Sequence, residues 1–310
     1  MNKPAYSLDL DEFRALARQG NLIPLYREIL ADYETPVSAF AKIDHGPSAY
    51  LLESVEGGEN WARYSFLGSG SPVVIREDRG DLLISRGTRL RRVPSKGRPL
   101  ERLRELMDQY RPVTVPGLPR FVGGAVGYLG YDVVRTFEEI PAGRKDSLGL
   151  PNFAFLLTDT LLIFDNVSQK IKVVANAHVR SAREPDVRRA YTEAAARIEK
   201  MIARLKRPLR RTRPKHRRKP ITFTPNMSRT DFEKMVMRTK EYINAGDIVQ
   251  AVLSQRVRPP ALQTTHPFHA LPRAARRSTR RPTCIYLRTL AGLQFVGASP
   301  ETAGPPARTG

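Results

Sequence analysis

The stretch Leu51-Leu-Glu-Ser-Val-Glu-Gly-Gly-Glu-Asn-Trp-Ala-Arg-Tyr-Ser-Phe-Leu-Gly68 decides the fold. It reads as the end of one strand, a Glu56-Gly57-Gly58 turn, and the start of another, because glycines supply turn geometry between β-favouring runs. Strand-like runs continue on both sides. Ser38–Ile43 and Ser48–Ser54 flank a His45-Gly-Pro turn, and Val73–Arg76 and Asp81–Ser85 extend the meander. Phe153–Phe164 and Ile171–His178 are two further β runs. Helical spacing is found elsewhere. Ser7–Ala17 is capped, with acids in its first turn, where the helix dipole favours them. Leu100–Tyr110 and Glu184–Leu205 carry apolar faces, and Ser228–Ala245 opens on a capping-box-like pattern and stops before Gly246. Strands and helices are mixed irregularly, so the expected class is α+β: a β-rich first domain followed by an incomplete second one.

The net charge of +21 invites a nucleic-acid reading, but its location argues otherwise. Residues 204–219 hold ten Lys and Arg and no acid, and residues 257–310 hold eight Arg and one acid, Glu301. These two stretches carry 17 of the 21 charges, so the other 240 residues are balanced like an ordinary globular protein. The first stretch contains prolines and no Phe, Tyr or Trp, which fits a solvated linker better than a nucleic-acid platform. A membrane span is not expected, since no apolar run approaches about 20 residues. The start of the chain has no apolar signal core, and the one cysteine, Cys284, allows neither an internal disulfide nor a Cys-rich metal site. A cytoplasmic location is the simplest expectation.

Three glycine, histidine and aspartate features have bland readings. Gly123–Gly130 lacks the Lys-Ser/Thr of a P-loop and the spacing of a dinucleotide site, so close backbone packing explains it. His266 and His269 have no further ligand partners and read as loop residues. Asp159 and Asp165 flank an apolar run and read as solvated strand ends.

Four segments carry a family resemblance. Leu51–Gly68 resembles the LLES…GGE…RYSFLG signature of anthranilate synthase component I, and Phe121–Arg135 resembles its GGAVGYxGYDxVR segment. Asn244–Arg256 and Gly292–Glu301 resemble its AGDIxQxVLSQR and (L/F)QxVG(A/S)SPE segments. The resemblance implies an enzyme that makes anthranilate and pyruvate from chorismate and ammonia with Mg²⁺, in tryptophan biosynthesis. It further implies a glutamine amidotransferase subunit (component II) as partner and feedback inhibition by L-tryptophan. On that basis Leu52, Glu53 and Ser54 are expected to line the tryptophan site. The implied organisation is an N-terminal domain over 1–205, a basic linker over 206–220, and an incomplete start of the chorismate-binding domain over 221–310.

One departure stands out. Where the family has Val-Asn-Pro-Ser-Pro-Tyr-Met, whose Asn-Pro-Ser-Pro-Tyr-Met part forms the other half of the tryptophan pocket, this chain has Ser278-Thr-Arg-Arg-Pro-Thr-Cys284. GC-rich codons for the family sequence, read one base late, translate into the sequence found here. Residues from about 270 to 285, and again Thr302–Gly310, are therefore expected to be out of frame. Pro282, Thr283 and Cys284 become degraded equivalents of pocket residues. The family's Mg²⁺-binding glutamates and catalytic histidine follow the SPE segment, so no catalytic and no metal-binding residue is assigned, and the chain is expected to be truncated and inactive. The competing readings are a non-catalytic remnant that binds tryptophan or the amidotransferase, and another chorismate-using enzyme such as aminodeoxychorismate synthase.

Overall fold

The computed structural model describes residues 6–53, 63–140, 148–209, 223–258, 283–289 and 292–299. By internal contacts the chain forms two units, residues 1–210 with 267–310, and residues 211–266.

The first unit is built on two antiparallel sheets. The larger one has seven strands in the order β1-β10-β9-β3-β2-β13-β14. These are β1 Leu22–Leu30, β10 Lys170–His178, β9 Thr160–Asp165, β3 Tyr64–Ser69, β2 Ala49–Glu53, β13 Thr283–Arg288 and β14 Gln294–Ser299. The smaller sheet has the order β6-β5-β4-β8-β7, from β6 Arg89–Val93, β5 Asp81–Arg86, β4 Val73–Asp78, β8 Phe153–Thr158 and β7 Gly124–Leu129. Helices α1 (Leu10–Leu16), α2 (Pro36–Ile43) and α4 (Glu184–Leu205) cover one face of the large sheet. Phe13, Phe40, Ile43, Ala194 and Ile198 are buried there against Leu51, Leu67, Val173 and Tyr286. The opposite face meets the small sheet through Tyr50, Val74, Val126, Leu156 and Leu287. Helix α3 (Pro99–Met107) closes the stack, packing Leu100, Leu103 and Leu106 on Val73, Ile75 and Ile84. Strands in the middle of such a stack are covered on both faces, which is why Ala49–Leu51 and Ile171–Ala177 are buried residue after residue rather than alternately.

Several sequence expectations need correction. Ser38–Ile43 is helix, not strand: Thr35 and Ser38 form a capping box and Pro36 sits in the first turn, a start that favours helix over sheet. Helix α1 starts at Leu10 rather than Ser7, capped by Asp9 with Glu12 completing the box. The run Phe153–Phe164 is two strands, because at Asp159 the chain passes from the small sheet to the large one. The segment expected as one incomplete domain, 221–310, divides. Residues 283–299 join the first unit's sheet as β13 and β14, since β13 finds the open side of β2. The second unit contains β11 (Thr224–Pro225), α5 (Arg229–Ala245) and β12 (Val257–Arg258). Helix α5 has its Ser228 cap and left-handed Gly246 stop where the sequence placed them. Most of the basic stretch 206–220 and the altered stretch 270–282 lie outside the described residues, as do His266 and His269.

The glycine-rich segment serves close approach, as expected. Gly123 adopts a φ of 142° and Gly124 one of 119°. A methyl group on Gly127 would run into the Ala154 carbonyl across the β7–β8 pair. Gly127→Ala is expected to destabilise the first unit by about 1–3 kcal/mol, the scale of a forced backbone shift in a packed interior. Urea unfolding with a midpoint unchanged from the parent would contradict this.

Asp165 is not a solvated strand end. It is 3% exposed and takes a two-pronged bond from Arg63, with Nη2 to Oδ2 at 2.7 Å and Nε to Oδ1 at 3.1 Å. Its carboxylate also accepts the Val167 and Ser168 amides, fixing the β9–β10 turn. Burial works against the charge, but Arg63 and the amides outweigh it and hold the carboxyl down at about 2. A lowered folded-state value stabilises above the unfolded value of about 3.9 and loses that contribution as pH falls toward 2. Asp165→Asn is therefore expected to flatten the stability–pH curve between pH 4 and 2, and an unchanged acid-unfolding profile would refute the role.

Candidate functional site

The candidate site lies at the end of β2. Leu51 faces the helices and Leu52 faces the small sheet, leaving Glu53 at the strand's last position. On one side β2 pairs with β3, Leu52 opposite Phe66. On the other it pairs with β13, with Glu53 opposite Cys284, Leu52 opposite Ile285 and Leu51 opposite Tyr286. Two segments more than 200 residues apart in the sequence thus meet in register.

Side chains at two positions, Tyr286 and Arg288, fix β13 in place. Tyr286 is fully buried, packs edge-on against Phe40 of α2 at 5.3 Å, and donates to Gln294 on β14 at 2.8 Å. Arg288 closes the other end. It donates to both carboxylate oxygens of Asp44, one of them at 3.0 Å, and to the Gly46 carbonyl at 2.9 Å, so β13 is tied to the turn between α2 and β2. Both partners of that ion pair are mostly buried, which makes loss of either one costly.

The electrostatics at the strand end follow from burial. Glu53 is half-buried, and burial alone raises its carboxyl above the usual range. Cys284 is 2% exposed; burial, then the nearby Glu53 carboxylate, push its thiol up. A carboxylate held at a desolvated strand end favours a cationic neighbour, because such a neighbour restores the stabilisation lost with water.

Of the residues expected to form the site, the structure brings Leu52, Glu53 and Cys284 together. The backbone of Thr283 is paired with Ser299 on β14. Ser54 and Pro282 lie outside the described residues. The sequence reading missed the Asp44–Arg288 tie. Nothing in local spacing connects two residues 244 positions apart. Among the described residues, no three His, Cys, Asp or Glu side chains lie together as a metal site. No helix among the described residues is long and apolar enough to cross a membrane.

Anthranilate synthase component 1 of Acetivibrio thermocellus is 37% identical over 304 residues, covering 94% of this chain and 58% of that protein. The Pseudomonas aeruginosa protein of the same name is 38% identical over 306 residues, covering 95% and 59%. The chain thus spans somewhat less than three-fifths of the length of these relatives. The crystal structure of anthranilate synthase component I from Streptococcus pneumoniae superposes with a TM-score of 0.56 at 23% identity, covering 88% of this chain and 57% of that one, a likeness of fold. The family described as chorismate binding enzyme matches residues 49–303, so the chain belongs to the chorismate-binding enzyme family.

Proposed function

We propose that this chain is part of the large subunit of an anthranilate synthase, the cytoplasmic enzyme that converts chorismate and ammonia into anthranilate and pyruvate. In that role it works with Mg²⁺, with ammonia delivered by a glutamine amidotransferase subunit, under feedback inhibition by L-tryptophan. The observation that carries the reading is the register of β2 on β13, Glu53 opposite Cys284. It sets side by side the two segments that the family resemblance assigns to one tryptophan pocket. Glu53 suits that ligand physically: a half-buried carboxylate at a strand end offers an acceptor for an amino acid's ammonium group.

A polypeptide of these 310 residues is proposed to be inactive toward chorismate. A Mg²⁺ ion that steers a dicarboxylate needs several carboxylate or water ligands, and residues 257–310 supply one carboxylate, Glu301. Its tryptophan site is proposed to be weakened, because the shifted stretch puts Thr283 and Cys284 where the family has larger side chains.

Both proposals are measurable. Incubated with chorismate, ammonium and Mg²⁺, the purified chain is expected to release no pyruvate above the uncatalysed background, and sustained turnover proportional to protein concentration would refute the proposed inactivity. In calorimetry, a variant restoring the family sequence (Thr279→Asn, Arg280→Pro, Arg281→Ser, Thr283→Tyr and Cys284→Met) is expected to bind L-tryptophan at least about tenfold more tightly than the parent chain, the effect of one good charge-assisted or fully buried contact. Equal affinities would remove the 279–284 segment from the pocket.

A further inference from the structure

A cleft of about 390 Å³ opens in the first unit where the chain crosses between the two sheets, and it shares no lining residue with the β2–β13 site. Its volume lies in the range of small-molecule sites. One part of the wall is apolar: Leu22, Val73, Leu157 and Met107 line it. Tyr110 and His178 add an aromatic corner, with rings edge-to-face at 5.4 Å.

Another part of the wall carries charge. Arg86 from the end of β5, Arg180 after β10, and Arg197 on α4 all line the cleft. Other arginines of this unit are held by carboxylates, as Arg14 is by Glu184, Arg63 by Asp165 and Arg288 by Asp44. Among the described residues, none of these three has a carboxylate within ion-pair distance, 4.0 Å. Arg197 donates one Nη2 bond to the Asn176 carbonyl at 2.7 Å, and its Nε is buried with no partner among the described residues. Arg180 and Arg86 stand close enough to His178 to oppose its protonation, which burial already disfavours. Two carboxylates, Asp159 and Glu193, also line the cleft, leaving the cationic groups in excess by one. With none of the three guanidiniums held in a direct ion pair, an anion that enters the cleft gains charge-assisted bonds from them.

We propose that this cleft binds a small organic carboxylate with an apolar or aromatic body, its carboxylate held by Arg86, Arg180 and Arg197 and its body lying on Leu22, Val73, Met107 and Tyr110. The carboxylates Asp159 and Glu193 restrict it to ligands bearing few negative groups, since a second anionic group would meet them.

The test uses two probes of the same shape and opposite charge, benzoate and benzylammonium, with inorganic phosphate as an anion lacking an apolar body. In calorimetry on the 310-residue chain, benzoate is expected to bind at one saturable site, benzylammonium not to bind, and phosphate to bind at least about fivefold more weakly. In proton NMR, benzoate is expected to shift the His178 ring resonances and raise that histidine's titration midpoint. The exposed pair Arg86→Gln and Arg180→Gln is expected to weaken benzoate at least about tenfold, with the thermal unfolding midpoint as the check on folding. The probe comparison on the unaltered chain stands even if that variant does not fold. Benzylammonium binding as tightly as benzoate, benzoate binding without any His178 response, or no benzoate binding at millimolar concentration would each overturn the proposal.

Discussion

Strand β2 is paired on both edges and covered on both faces, and the rest of the first unit is organised by that enclosure. Its backbone bonds to β3 on one side and β13 on the other. Leu51 reaches into the helix-covered core while Tyr50 reaches into the core between the sheets. A strand with no free edge and no wet face has no room to slip by one residue, because a slip would carry Tyr50 and Leu51 to the wrong sides. The fixed register in turn decides which residue of β13 stands opposite Glu53.

Two ion pairs secure the strands around this one, and they act at different ends of the sheet. Asp165 with Arg63 shapes the β9–β10 turn and the start of β3. Asp44 with Arg288 ties the last part of β13 to the chain just before β2. Each is partly or largely removed from water, so each acts less as a source of stability than as a geometric constraint that is expensive to break. The arginines of the cleft between the sheets are the counterpart. Where carboxylates fix geometry elsewhere in the unit, Arg86, Arg180 and Arg197 have no carboxylate within ion-pair distance among the described residues.

Sequence reading captured what local pattern encodes. The limits of α4 at Glu184 and Leu205, the Ser228 cap and the Gly246 stop of α5 follow from side chains within a few positions of each helix end. The glycines of 123–130 were legible as close packing because no anion-binding spacing accompanies them. The failures have two causes, one local and one distant. Ser38–Ile43 is apolar enough for strand or helix, and its choice rests on the Thr35–Ser38 box. Asp165 looks like any turn aspartate until Arg63, 102 positions away, is placed beside it. The joining of residues 283–288 to β2 was invisible for the same reason, since the sequence shows an apolar strand but not whose edge it completes. Within the candidate site, Leu52 and Glu53 were readable only through the family resemblance, and their meeting with Cys284 only through the pairing.

As an interior strand of the first unit's sheet, β13 is hydrogen-bonded to β2 along Cys284–Arg288, and amide hydrogen exchange on the intact 310-residue chain reads that pairing. The amides of 284–288 are expected to exchange as slowly as those of β3, residues 64–69, because both strands are paired on two sides. Exchange of 284–288 at the rate of an unstructured peptide, with 64–69 still protected, would contradict it and would separate Cys284 from Glu53.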